Sequence, residues 1–327
     1  KVNRERANFQ KVCEQIRETF GGHPVLMNFP YGEGENFKGI INLLKMKLAS
    51  GDGGKVSYSD IPADATDRAQ ELRAALVEAA AEGDDELTTK FLEGEPLNDL
   101  EVLRGLKEDL CENRITPIIA ASATEGAGCM NLLDFIIECF PAPGEEGPFR
   151  ARDSKAGKDF ELKYDENGPT AAFVFKTISD PYAGHLTFFK VLSGSVCNDT
   201  QLLNTTRGVE ERISHLMTVR GKKQDPVPKV LTGDIGVLAK LTNTHTNDVL
   251  CDPKAPIRID PTPMPPCTVH MAIHAKSKED EDKIAGAMHR LIEQDPTLHI
   301  HRDPAIHQTI LSGMGDTHLD VAISRLR

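Results

Sequence analysis

Two proline-rich segments divide this 327-residue chain into three stretches that differ in hydrophobic periodicity. The first segment comprises Pro141-Ala142-Pro143-Gly144 and the charged residues up to about Gly168, and the second runs from Pro261 to Pro266. Proline fixes the backbone and lacks an amide donor, so such clusters are typical of linkers. A chain of this length can bury two or three separate cores. The sequence therefore predicts domains at 1–141, 169–260 and 261–327, with a linker at 142–168.

The first stretch alternates helical and strand-like patterns. An amphipathic helix is predicted over residues 4–20, followed by Gly21-Gly22 as its end. Apolar runs predict strands at 24–30, 39–48, 56–59 and 116–121, and helical spacing predicts helices near 72–80, 85–92, 98–112 and 128–140. The last helix has an apolar stripe that consists of Leu132, Leu133, Ile136, Ile137 and Phe140. This stretch is predicted to be mixed α/β.

The other two stretches have different patterns. Between residues 169 and 260, short β-rich runs alternate with Gly, Asp, Asn and Pro turns, which predicts a small all-β barrel or sandwich. After Pro266 the order is strand, helix, strand, strand, helix, which is a ferredoxin-like split βαβ unit without its last strand. Ser277 and Asp280 fit the start of the first of these helices. Its core face is predicted to contain Ile284, Ala287, Met288, Leu291 and Ile292.

Composition restricts the class of protein. A formal net charge of −12 argues against a nucleic-acid-binding surface over the whole molecule, so an RNA contact would have to be local. Seven cysteines without a C-x-x-C pair indicate a reduced protein with neither a disulfide framework nor a zinc centre. No apolar run reaches membrane-spanning length. These features predict a soluble cytoplasmic protein.

A strand-to-helix turn near the C-terminus is the most distinctive motif. The run Thr309-Ile310-Leu311 ends at Gly313 and Gly315, and a helix follows. Such turns can bind phosphate, but the Lys-Ser/Thr of a phosphate loop is missing, so the spacing alone indicates packing. Together with Glu293-Gln294-Asp295-Pro296-Thr297, this turn resembles domain III of elongation factor G, the ribosomal translocase. That family usually has Glu-Leu-His-Leu-Glu after the second glycine, where this chain has Asp316-Thr317-His318-Leu319-Asp320.

The resemblance to this family extends over essentially the whole chain. Residues 1–9 resemble the end of the guanine-specificity motif NKxD and the helix after it, and 117–123 is similar to the strand that leads to the second guanine loop. Residues 28–39, 61–63 and 83–87 resemble the insert in the family's G domain. Residues 179–189, 232–235 and 250–252 look like signatures of domain II.

The resemblance implies a multidomain α/β, all-β and α+β protein. Its parts are the C-terminal part of a P-loop GTPase domain with an inserted subdomain at about 31–112, a β-barrel domain II and a partial ferredoxin-like domain III. The implied function is GTP-dependent ribosomal translocation in the cytoplasm. The implied partners are ribosomal RNA, the stalk protein and a small-subunit protein, without DNA or a membrane.

The resemblance also implies the nucleotide contacts of the parent protein: Lys1, Asn3, Ser122 and Ala123. The family has Asp where Asn3 stands; a carboxylate accepts two guanine donors, whereas an amide has one acceptor and turns an NH₂ group toward a donor. No G-x-x-x-x-G-K-[ST] motif occurs, so the chain is expected to be a fragment without catalytic residues. GTP and Mg²⁺ are expected in the full-length parent, and neither nucleotide binding nor hydrolysis in the fragment.

Three groups of polar residues have more than one interpretation. A basic cluster could contact ribosomal RNA phosphates or form a solubilising barrel edge; it consists of Arg207, Arg212, Arg220, Lys222 and Lys223. Between Asp60 and Glu101, thirteen acidic and three basic residues form either a solvated face or a docking surface for the stalk protein. The five histidines at 270, 274, 299, 301 and 307 have no supporting cysteine or carboxylate, so no metal is predicted.

The parent function has alternatives too. The insert favours the translocase, whereas Asn3 and the altered residues after Gly315 favour a divergent elongation-factor-G-like paralogue or a ribosomal-protection protein of the tetracycline-resistance type. A non-catalytic ribosome-binding module is the third possibility.

Overall fold

The computed structural model of the chain describes residues 1–52, 55–145, 147–180, 184–275 and 277–326. It divides into two units, Lys1–Glu146 and Gly147–Arg327. The sequence pattern predicts a further break at Pro261–Pro266, and this segment lies within the second unit. The predicted domain II signature at 179–189 includes residues 181–183, which lie outside the described residues.

The first unit is mixed α/β, as predicted. Its helices are α1 (Phe9–Phe20), α2 (Ala63–Ala81), α3 (Asp85–Leu92), α4 (Asp99–Cys111) and α5 (Cys129–Cys139). Its strands are β1 (His23–Leu26), β2 (Asn28–Tyr31), β3 (Gly39–Asn42), β4 (Lys47–Asp52), β5 (Lys55–Ser59) and β6 (Ile115–Ile118). β1 and β6 form a parallel pair, and β2 to β5 form an antiparallel meander in chain order.

Local sequence signals explain where these helices begin. Asn8 caps α1 by accepting a hydrogen bond from the Lys11 backbone amide at 2.9 Å. At α4, the Asn98 side chain accepts from the Glu101 amide while the Glu101 carboxylate accepts from the Asn98 amide, which is a complete capping box. The core between the helices and strands contains Phe29, Ile40, Ile41, Leu76, Leu87, Leu106 and Phe135, all at most 2% exposed.

Helix α5 packs on a different face from the one that its apolar stripe indicates. The side chains that pack into the core are Phe135 and Cys139, with Asn131 one turn earlier. In the predicted stripe, Ile137 is 81% exposed and Leu133 is 50% exposed. The three polar residues of the helix recur at i, i+3 and i+7 from Asn131 and so lie next to the buried line, and hydrophobic periodicity therefore indicated the opposite face. The buried residues, Asn131, Phe135 and Cys139, are selected by the surface against which the helix packs.

The second unit begins with residues that composition had predicted to be a linker. Within 142–168, β7 (Phe149–Asp153) and β8 (Asp159–Leu162) form strands. They pair with β19 (Ile257–Arg258) in the order β19-β7-β8. Ala151, Leu162 and Ile257 pack together in a small buried cluster, so part of this segment contributes to the core of the unit.

The β-rich stretch has the all-β structure that its pattern predicts. Its strands are β9 (Ala171–Asp180), β10 (Gly184–Ser193), β11 (Ser195–Cys197), β12 (Gln201–Asn204), β13 (Val209–Arg212), β14 (Leu216–Arg220), β15 (Lys223–Pro226), β16 (Lys229–Leu231), β17 (Ile235–Ala239) and β18 (Val249–Cys251). Eight of them form an antiparallel sheet in the order β13-β12-β18-β9-β10-β17-β14-β15, and β11 pairs with β16. Among the described residues between 169 and 255, none is in a helix.

The last part of the second unit is the predicted β-α-β-β-α arrangement. It consists of β20 (Val269–Ile273), α6 (Lys278–Gln294), β21 (His299–Asp303), β22 (Gln308–Gly313) and α7 (Asp316–Leu326). The sheet order is β20-β22-β21, with antiparallel pairing throughout. On α6 the predicted core residues Met288 and Leu291 are buried, and Ile284, Ala287 and Ile292 are half-buried. The predicted cap of this helix relies on the Asp280 side chain, which lies outside the described residues.

Within the described parts of the chain, no helix combines the length and apolar character needed to span a membrane.

Candidate functional site

The N-terminal residues meet the loop that follows β6. The backbone nitrogen of Lys1 donates a hydrogen bond to the Ala121 carbonyl at 2.8 Å. Ser122 Oγ donates to Asn3 Oδ1 at 2.6 Å, across 119 positions of sequence. Three of the four predicted nucleotide contacts, Lys1, Asn3 and Ser122, are therefore brought to one place, with Ala123 next to Ser122 in the chain.

A buried asparagine holds this loop at the end of β6. Asn28 is 1% exposed, its Oδ1 accepts from the Ala120 amide at 2.6 Å, and its Nδ2 donates to the Ala120 carbonyl at 3.3 Å. The loop closes on itself through a hydrogen bond from the Ser122 amide to the Ala127 carbonyl at 2.8 Å. Gly128 follows with a φ of +75°, and a Cβ at this position would lie 2.6 Å from the Ala120 carbonyl oxygen. A glycine is therefore required where the loop enters α5.

Glu125 is a part of this site that sequence reasoning missed. The Asn3 Nδ2 atom donates a hydrogen bond to Glu125 Oε1. Both ends of the Asn3 amide are thus occupied, one by the Ser122 hydroxyl and the other by the Glu125 carboxylate. The available signal was that Glu125 is the sole charged residue between 119 and 128. The site consequently carries a carboxylate, which can accept two hydrogen bonds, although position 3 holds an amide.

The predicted basic cluster is spread over the β12–β13 and β14–β15 hairpins of the β-rich region, and most of its charges have partners. Arg207 lies in the turn after β12 and contacts Asp248 at 3.2 Å. Arg220 and Lys223 lie at the β14–β15 hairpin, and both contact Asp225, at 3.0 and 3.1 Å. Arg212 is 3.7 Å from Asp199, and Lys222 is exposed at the tip of the hairpin. These surface pairs reduce the local positive charge that could meet an RNA phosphate.

The acidic residues between Asp60 and Glu101 are also partly paired. Arg73 contacts Asp99 at 2.6 Å, Lys90 contacts Glu101 at 2.6 Å and Arg104 contacts Asp84 at 3.0 Å. The contact with Lys90 is the largest of the effects that lower the pKa of Glu101, and a hydrogen bond from the Asn98 amide adds to it. Some of these carboxylates therefore hold α2, α3 and α4 together.

The histidines of the last region lie on the sheet. His270 and His299 are both register partners of Ser312, and His270 Nδ1 is 2.7 Å from the Ser312 hydroxyl. Among the described residues, no group of three or more His, Cys, Asp or Glu side chains is arranged to hold a metal ion.

The two segments of the domain III resemblance are joined by hydrogen bonds. His318 Nε2 donates to Asp295 Oδ2 at 2.9 Å, and His318 Nδ1 accepts from the Met314 amide at 3.2 Å. Burial acts to raise the pKa of Asp295, but hydrogen bonds from Thr297 and His318 outweigh it and lower this pKa. A Cβ on Gly313 would lie 2.7 Å from the Leu319 side chain. The turn thus has a packing role, as its spacing indicates.

Comparisons with known proteins agree with this arrangement. Residues 169–253 match the family described as elongation factor G domain 2, and residues 264–327 match elongation factor G, domain III. The chain is also similar to a protein from Thermus thermophilus with a known crystal structure, at 26% identity and a TM-score of 0.83. That similarity covers 98% of this chain and 46% of the other, so the chain spans about half the length of this relative. The chain therefore contains domains II and III of the elongation factor G type, in that order.

Proposed function

We propose that this chain is part of a GTP-dependent translation factor of the elongation factor G type, which acts on the ribosome during elongation in the cytoplasm. The observation that carries this proposal is the consecutive presence of domains II and III in one unit. The meeting of Asn3 with Ser122 supports it, because these residues lie where the resemblance places guanine recognition.

In this proposal, the guanine base lies next to Lys1, Asn3, Ser122 and Ala123. The Lys1 side chain covers the base, and the loop at Ser122 and Ala123 offers a backbone amide to its oxygen. The bound GTP supplies the phosphate whose hydrolysis drives the conformational switch. Because the 327 residues contain no phosphate-loop motif, the phosphates and Mg²⁺ are held by residues outside this sequence.

The proposed partners are ribosomal RNA, the ribosomal stalk protein and a small-subunit protein. Lys222, exposed at the tip of the β14–β15 hairpin, is the member of the basic cluster best placed to contact an RNA phosphate. The acidic helices α2 to α4 are the proposed surface for the stalk protein.

The test uses the product of the complete gene with purified ribosomes. We expect it to sediment with ribosomes in the presence of a non-hydrolysable GTP analogue, to dissociate with GDP, and to hydrolyse GTP faster when ribosomes are added. The isolated 327-residue chain is the control, and it should show no Mg²⁺-dependent GTP hydrolysis. Nucleotide-independent sedimentation without hydrolysis by the complete product would instead indicate a non-catalytic ribosome-binding module.

A second candidate is a divergent paralogue or a ribosomal-protection protein. The observations that favour it are Asn3 and the sequence Asp316-Thr317-His318-Leu319-Asp320 in the domain III turn. A translocation assay that follows movement of messenger RNA by one codon separates the candidates, because a factor that only recycles or protects ribosomes hydrolyses GTP without this movement.

A further inference from the structure

A cavity of about 560 Å³ lies between α6 and one end of the β20-β22-β21 sheet. Its volume is within the range of pockets that hold small organic ligands, which is roughly 300–1,000 Å³. The α6 wall includes Ile284, Ala285 and Met288, and the strand wall includes Ile300 and Arg302. This cavity lies in the second unit, whereas the Asn3–Glu125 site belongs to the first.

The polarity of the sheet changes at the cavity. Ile300 pairs in register with Leu311, and one step further along the same face Arg302 pairs with Thr309. Residues two apart on a strand point to the same side, so Arg302 follows Ile300 on the side that faces α6. On the side of the sheet that faces α6, the apolar pair Ile300 and Leu311 is thus followed by the polar pair Arg302 and Thr309.

The charge of the cavity wall contrasts with that of the chain. The net charge of the whole chain is −12, yet none of the described residues that line the cavity is Asp or Glu. Arg302 has no ion pair or hydrogen bond to another described side chain. His274, His289 and His307 also line the wall, and His289 lies 3.3 Å from a carboxylate, that of Glu293. The cavity therefore combines an apolar body with a positively charged end.

We propose that this cavity binds an amphipathic organic anion, with a compact apolar body against α6 and a carboxylate or phosphate at Arg302. Arg302 binds the anion through charge-assisted hydrogen bonds, for which the planar guanidinium group is well suited. The Thr309 hydroxyl and the Gln308 amide, which also line the cavity, are additional polar partners at the same end. Ile284, Met288, Ile292 and Ile300 form the apolar wall.

The test measures binding of 1-pyrenebutyrate to the 327-residue chain by fluorescence anisotropy. The neutral analogue 1-pyrenebutanol and the non-fluorescent competitor decyl phosphate are measured in parallel. We expect Arg302→Gln to weaken pyrenebutyrate binding about tenfold, the effect of one lost charge-assisted hydrogen bond, while pyrenebutanol binding changes less than about twofold. Ala285→Phe, which fills the cavity from an exposed helix position, should weaken binding of both probes. Competition by decyl phosphate shows whether a phosphate is accepted as well as a carboxylate.

Two control variants separate this cavity from other surfaces. Arg290→Gln changes an arginine on the same helix that does not line the cavity, and Ile137→Ser changes the exposed apolar face of α5. Both should bind pyrenebutyrate like the unmodified chain, and circular dichroism confirms that every variant is folded. Equal affinity of the Arg302→Gln and Arg290→Gln variants would overturn the proposed anion contact. Unchanged binding by Ala285→Phe, or loss of binding in Ile137→Ser, would place the probe elsewhere and refute the proposal.

Discussion

Replacing Asn3 by Asp tests the contact between the N-terminal segment and the loop after β6. The Asn3 oxygen accepts from Ser122 Oγ at 2.6 Å, and its nitrogen donates to the Glu125 carboxylate. An aspartate would retain the first bond but would replace the donor by an oxygen that faces another carboxylate. We therefore expect Asn3→Asp to destabilise the packing of the N-terminal segment on this loop.

The magnitude follows from the two interactions that change. A hydrogen bond to a charged group contributes about 1.5–3 kcal/mol. Two like charges in contact at a solvated surface add about 1 kcal/mol of repulsion. Because Glu125 is exposed, solvent screens both effects, so we expect a loss of about 1–2 kcal/mol for Asn3→Asp.

The assay is native-state hydrogen exchange in segments 1–20 and 115–128, because a chain with two units need not unfold in one step. The unmodified chain is compared with Asn3→Asp, Glu125→Gln and the double variant. Glutamine at 125 can donate to an aspartate at position 3, so the double variant should recover most of the lost protection. If Asn3→Asp costs the same in both backgrounds, to within about 0.3 kcal/mol, the two side chains are not coupled and the described site is incorrect.

The remaining predictions concern the core, the pH response and the nucleotide. Phe135→Ala should lower the stability of the first unit by about 3–5 kcal/mol because Phe135 is buried, whereas the exposed Ile137 can be replaced by Ala with a change of less than about 0.5 kcal/mol. Urea unfolding of both variants checks which face of α5 is buried. The pKa of Asp295 is lowered in the folded chain, so its contribution to stability is present above its ordinary pKa and is lost as the pH falls through the lowered value. Between about pH 6 and about pH 3, the melting temperature should therefore decrease less for Asp295→Asn than for the unmodified chain. An identical decrease in both would contradict the Asp295–His318 interaction. In the complete gene product, the Asn3 amide should shift nucleotide preference from guanine toward xanthine, by about tenfold or more relative to Asn3→Asp, because one mismatched buried donor costs about 1–3 kcal/mol. Competition between GTP and XTP for binding measures this shift. Equal GTP preference in both forms would show that position 3 does not face the base.

The sequence by itself determined the kind of structure in each stretch. Period-two runs with frequent turns between 169 and 260 predict strands because neither the spacing nor the Gly and Pro content suits a helix. The order of strands and helices after Pro266 likewise specifies a split βαβ unit, and the structure has the same order. The resemblance to domain III rests on residues 293–297 and 309–320, and it could be recognised from the sequence because each of these segments is local in the chain.

Contacts between distant residues were decided only in the tertiary structure. Helix α5 buries Phe135 next to its polar residues and leaves Ile137 exposed, so its hydrophobic pattern indicated the wrong face. The charged segment at 142–168 became two strands because β19, about 100 residues later, supplies a pairing edge. The contact of Asn3 with Glu125 spans 122 positions, and the cavity at Arg302 depends on how far α6 lies from the end of the sheet. Periodicity and composition indicate which residues can be buried or paired. The residues that they contact are determined by packing, because the free energy of burying one face of a helix or strand depends on the surface that this face contacts.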